Sequence, residues 1–116
     1  MLQALGDYSG AHELLEKAVQ SDEKNFGPDH PSTAIRYSNL ALVLKALGDY
    51  SGARELLEKA VKSDEKNFGP EHPSTAVSYS NLALVLKAFG DYSGARELLE
   101  KAVKSTVMFV QAKKIM

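Results

Sequence analysis

The chain has 116 residues, 44% hydrophobic and 25% charged, a balance that suits one globular domain. Its 14 basic and 15 acidic residues leave a net charge of -1, so no global field draws it to nucleic acid or to an anionic membrane surface. The absence of cysteine excludes disulfides, thiolate metal sites and a thiol nucleophile; no signal-peptide pattern opens the chain, and no apolar run approaches the roughly 20 residues that span a bilayer. A cytoplasmic protein without a cofactor or a resident metal is expected.

In chain order, residues 1–5 read as the last turn of a truncated helix, because the sequence repeats itself. A shift of 42 positions lays residues 5–46 on residues 47–88 with five differences: His12/Arg54, Gln20/Lys62, Asp29/Glu71, Ile35/Val77 and Arg36/Ser78. A third copy starts at Phe89 and differs from residues 47–63 at one position of 17 through Ser105. Periods of about 20–50 residues signal stacked supersecondary units, none of which buries its apolar face alone.

Residues 8–26 and 50–68 form the next pattern, an outer helix. In the second copy Tyr50, Ala53, Leu56, Leu57, Ala60, Val61 and Phe68 fall on one face of a 3.6-residue period. The other face carries Arg54, Glu55, Glu58, Lys59, Lys62, Glu65 and Lys66, with Glu55/Lys59 and Glu58/Lys62 spaced i, i+4 in the favourable acid-first order. A charge run of this kind is a solvated face. A Phe-Gly-Pro-Asp/Glu-His-Pro segment then stops the helix, and its second proline (Pro31, Pro73) starts the next one where a missing N–H costs nothing.

Residues 31–47 and 73–89 follow as inner helices, apolar on nearly every side and therefore flanked by neighbours. Gly48 and Gly90 supply the left-handed C-terminal cap, and Asp49 and Asp91 N-cap the outer helices that follow, the last of them spanning residues 92–105. Helices of this length joined by short loops pack antiparallel. The tail, residues 106–116, is expected to extend the last outer helix and carries no polar residue between Val107 and Val110.

His30 and His72, each between an acid and a proline, are the recurrent imidazoles. Their placement points to capping of helix N–H groups ahead of metal binding or catalysis. No glycine loop with Lys-Ser/Thr is present, and the Gly6/Gly10 spacing lacks the apolar segment of a membrane dimer motif, so it reads as a turn followed by a first helical turn.

The motif Asn81-Leu82-Ala83, Leu86, Gly90-Asp91-Tyr92, Ala95, Leu99, Ala102, repeated from Asn39 to Ala60, resembles the tetratricopeptide repeat. The 42-residue period, where about 34 is usual, and the Phe-Gly-Pro-Asp/Glu-His-Pro loop are similar to the long repeats of kinesin light chains. Comparable repeats occur in the sensor regions of STAND-type signalling ATPases. The resemblance implies an all-α, right-handed α-solenoid of antiparallel helical hairpins, about two and a half repeats over residues 1–105. It also implies a non-catalytic scaffold whose inner helices line a concave groove for a peptide or protein partner.

The matching groove positions are Ile35, Ser38, Asn39, Leu42 and Lys45 in the first inner helix and Val77, Ser80, Asn81, Leu84 and Lys87 in the second. Offsets of 0, 3, 4, 7 and 10 place each set on one stripe by helical geometry alone. The amides suit a peptide backbone, the aliphatic groups its side chains and the ammonium groups a carboxylate; the competing expectation has the same side chains packing on neighbouring helices. Leu42 and Leu84 stand where repeats that clamp a free C-terminus carry Asn, which speaks against that ligand. Ser38-Asn39 and Ser80-Asn81 replace the Asn pair typical of kinesin light chains. Of the five differences between copies, Ile35/Val77 alone is expected on the groove. Ends without capping repeats make self-association, by domain swapping or end-to-end stacking into a homo-oligomer, the alternative.

Overall fold

The computed structural model describes residues 2–115, with side chains described for residues 8–111, 113 and 114; Met1 and Met116, which the sequence places at the ends of the first and last elements, lie outside it. Among the described residues five helices form: α1 (Leu2–Phe26), α2 (Pro31–Ala46), α3 (Tyr50–Phe68), α4 (Pro73–Ala88) and α5 (Tyr92–Ile115). Each helix packs on the next, and α2 touches α4; among the described residues no other pair meets. The inner helices α2 and α4 thus lie side by side, with α3 between them on the other layer. The result is an all-α array of sequential antiparallel pairs, about two and a half repeats long.

Local chemistry explains the boundaries. Gly27, Gly48, Gly69 and Gly90 all take φ between 85° and 88°, the left-handed region that only glycine enters cheaply. After α2 the Asp49 N–H reaches back to the Leu44 carbonyl at 2.8 Å, while the Asp49 carboxylate accepts from the Gly52 N–H at 2.9 Å. The turn and the N-cap of α3 are one hydrogen-bonded unit. A Cβ on Gly52 would sit 2.7 Å from the Asp49 carboxylate and 3.0 Å from Leu44, so the second glycine of the Gly-Asp-Tyr-Ser-Gly segment makes room for this cap. At the longer loop His30 Nδ1 accepts from the Ser32 N–H and His72 Nδ1 from the Ser74 N–H, both at 3.0 Å. Thr33 and Thr75 then tie their helices to the Gly27 and Gly69 carbonyls.

The core lies between the two layers. Ala53, Leu57, Ala60 and Val61 of α3 are buried against Tyr37, Leu40 and Leu44 of α2 and Ala76, Tyr79 and Leu82 of α4. Tyr37 and Tyr79 each donate a 2.6 Å hydrogen bond to a carboxylate of the preceding outer helix, Glu23 and Glu65. Burial, reinforced by that carboxylate, raises both phenols well above their ordinary range. Lys59 and Lys101 lie over the same two rings.

Two local readings differ from the sequence. Gly6 is helical, and α1 runs unbroken where a turn is expected at residues 6–7. The turn at Gly48 is closed by the Asp49 N–H on the Leu44 carbonyl and by α2 packing on α3, whereas at Gly6 the backbone hydrogen bonding stays helical. On the charged face of α3, Arg54 pairs with Glu58 in place of the expected Glu58/Lys62 pair, and Lys59 lies over the Tyr37 ring instead of pairing with Glu55. Such exposed pairs contribute little to stability.

Candidate functional site

The inner helices are covered by outer helices on two sides, and the third side is left open. Ile35, Leu42, Val77 and Leu84 are all exposed there despite their apolar character. A groove of about 370 Å³ runs between α2 and α4 and gathers six of the ten expected residues: Ile35, Ser38, Asn39 and Leu42 with Val77 and Asn81. Ser80 faces instead a second groove between α4 and α5, about 580 Å³, shared with Val77, Asn81, Leu99 and Val103. Lys87 lines a third depression along α5, and Lys45 and Leu84 line none of the three. The stripe therefore serves two neighbouring inter-helix grooves.

The α2–α4 groove also holds residues that the repeat pattern does not single out. Phe68 lines it, stacked on His72 with ring centroids 4.6 Å apart. Asp64 and Ser78 line it as well. Asp64 is only 8% exposed, and its carboxylate accepts a short hydrogen bond from the Ser78 hydroxyl. Burial pushes this carboxyl above the usual carboxylate range; the Ser78 hydroxyl and the neighbouring His72 pull in the other direction without restoring it. The signal for Asp64 lay in its place four residues after Ala60 and three after Val61, on the buried stripe. Hydrophobic periodicity passes over a polar residue in that place.

One repeat earlier the same carboxylate meets a different partner. Asp22 accepts from Arg36 Nε at 3.2 Å and from the Ser32 hydroxyl at 3.1 Å. Position 36/78 thus belongs to the groove in the second copy, contrary to the expectation that Ile35/Val77 alone falls there. The difference replaces an internal ion pair to arginine by a carboxyl group bonded to a serine hydroxyl.

The imidazoles spend Nδ1 on helix caps, and among the described residues no group of three or more His, Asp or Glu side chains converges on one point. No helix is long and apolar enough to cross a membrane, again among the described residues.

Helical hairpins stacked in one direction, with equivalent helices lining one face, define a helical-repeat solenoid. The chain belongs to the tetratricopeptide repeat family, whose model matches residues 1–66 and, in a second register, 37–105. Its repeats are of the kinesin-light-chain type. A Podosopora anserina protein assigned as a kinesin light chain with nearly identical TPR-like repeats superposes with a TM-score of 0.82 at 36% identity, over 90% of this chain and 50% of that one. A glutamine-to-methionine variant of that protein gives 0.83 at the same identity and coverage. BtubC (BKLC) from P. vanneervenii shares the fold, with a TM-score of 0.82 at 23% identity over 87% of this chain and 40% of that one. The chain thus spans half or less of these proteins. No curated protein matches the sequence. Tetratricopeptide repeats generally serve as protein-interaction modules and are typically non-catalytic.

Replacing Asp64 by Asn tests the buried carboxylate. A carboxyl raised in the folded state favours folding below its ordinary value near 3.8 and loses that contribution as pH rises through the folded-state value. Asp64→Asn keeps an oxygen for Ser78 and removes the charge, so it is expected to raise the melting temperature by a few degrees at about pH 7, with the gain vanishing toward about pH 3.5. Asp22→Asn, which deprives Arg36 of its partner, is expected to give no gain. Thermal melts across that range check both.

Proposed function

We propose that this chain is a non-catalytic scaffold that binds an extended peptide segment of a protein partner along the open face of α2 and α4. The observation that carries the reading is the exposure of apolar side chains beside unspent amides. Ile35, Leu42 and Val77 stand open in a groove that also presents Asn39 and Asn81. Neither amide makes a side-chain hydrogen bond to another described residue, which leaves donors and acceptors for a backbone that has lost its own pairing. Aliphatic walls on both sides would hold alternate side chains. Capping duty at both histidines supports the absence of catalysis.

A second reading, self-association, is favoured by one observation. Leu57 and Val61 of α3 are 2% and 9% exposed under α4, whereas their equivalents Leu99 and Val103 on α5 are 47% and 64% exposed. That face of α5, with Val107 and Met108, lines a depression of about 790 Å³. The repeat itself specifies what fits there, an inner helix such as α2 or α4 from a second copy.

Two measurements separate these readings. The double variant Asn39→Ala, Asn81→Ala is expected to weaken capture of a groove-binding peptide about tenfold, as the loss of two neutral hydrogen bonds implies, while its circular dichroism melt stays unchanged. Unaltered affinity would remove the groove from the mechanism. Light scattering over a wide concentration range should give one constant monomer mass on the scaffold reading; a mass that rises with concentration, and that Leu99→Lys returns to the monomer value, would establish the self-associating one.

A further inference from the structure

The α2–α4 groove contains a buried carboxyl group that has the His72 imidazole in its vicinity but lacks the guanidinium its equivalent holds in the preceding unit. Among the described residues no Lys or Arg pairs with Asp64, and its one side-chain partner is the Ser78 hydroxyl. An ionised carboxylate so placed is costly unless a positive group completes it. The preceding unit shows what completes it: there Arg36, from the position equivalent to Ser78, sets its guanidinium on Asp22. In the second unit serine leaves out that side chain, and both Asp64 and Ser78 border the groove.

We propose that the groove recognises an arginine side chain of its peptide partner, whose guanidinium docks on the Asp64 carboxylate in the role that Arg36 plays on Asp22. This rests on the scaffold reading and adds the charge of the ligand to it. Ile35, Leu42 and Val77 present aliphatic surface for the arginine stem, and Phe68 offers a ring face at the rim. About 370 Å³ accommodates one long side chain with a short stretch of backbone. Asp64 Oδ2 holds the Ser78 hydroxyl, which leaves Oδ1 to accept a guanidinium N–H. Lysine offers a point charge with a stronger hold on water and fits such a site less well. Only one such site arises, because the equivalent of Asp64 in the third copy is Thr106 and in the first copy Asp22 is already paired.

The test uses the full chain, labelled with nitrogen-15, and three peptides: acetyl-Leu-Ser-Arg-Leu-Ser-amide and its citrulline and lysine counterparts. Citrulline preserves the shape of arginine and removes its charge. The arginine peptide is expected to shift the Asn39, Ser78 and Asn81 resonances and to bind about tenfold more tightly than the citrulline peptide, the worth of one charge-assisted pair, with the lysine peptide in between. Asp64→Asn and Ser78→Arg should each lower the affinity of the arginine peptide to the citrulline level. Ser78→Arg is the more informative variant, since the preceding unit already accommodates arginine at this position and supplies the competing guanidinium from within. Equal binding of arginine and citrulline, or undiminished binding by both variants, would overturn the arginine site. If the two peptides shift Asn39 and Asn81 equally, the groove stands and the charge recognition falls. If neither shifts them, both fall.

Discussion

Everything in this molecule depends on how closely an outer helix settles between two inner ones. Ala53 and Ala60 of α3 have no exposed surface, and their small side chains let the helices approach while Leu57 fills the space between them. Tyr37 and Tyr79 brace the contact from the inner layer, each reaching the preceding outer helix through its hydroxyl. A seam of this kind uses the inner helix on two sides, one for the outer helix before it and one for the outer helix after it. Only the third side remains. The apolar residues left there are a consequence of stacking geometry, and their combination with Asn39 and Asn81 is what makes the face useful for recognition.

The seam also explains why near-identical units need not present identical sites. Five differences separate the two full copies. Four are conservative or lie away from the groove, while Arg36/Ser78 changes the state of a buried carboxylate one helix away. In the first unit Asp22 is neutralised by the chain itself; in the second, Asp64 stays open to the groove. Repetition supplies the frame, and one substitution at its inner edge alters the chemistry it offers.

Much of this was legible in the residues. The 42-residue period, the Gly-Asp caps, the Gly-Pro stops and the inner-helix stripe all follow from local rules that the fold obeys, since each turn is closed by atoms within a few residues of one another. The local exceptions have physical causes. Gly6 shares the turn's sequence with Gly48, but the turn at Gly48 also depends on α2 packing on α3, which the local motif does not encode. Asp64 escapes a reading based on apolar periodicity because burial of a polar group is decided by what stands opposite, here Ser78 on the next helix. The division of the stripe between two grooves, with Ser80 turned toward α5, likewise depends on inter-helix spacing that no single helix encodes.

The most direct test of the account is the accessibility of the inner-helix face, and the lack of native cysteine makes it clean. Single cysteines at positions 35, 42, 77 and 84 should react with a water-soluble maleimide at nearly the rate of a free thiol. Cysteines at positions 40, 44, 82 and 86, on the buried side of the same helices, should react about 100-fold more slowly, as thiols reached only through transient opening of the fold. Protection of the first set to the level of the second would contradict the account, because the face assigned to a partner would then already be covered by the protein itself.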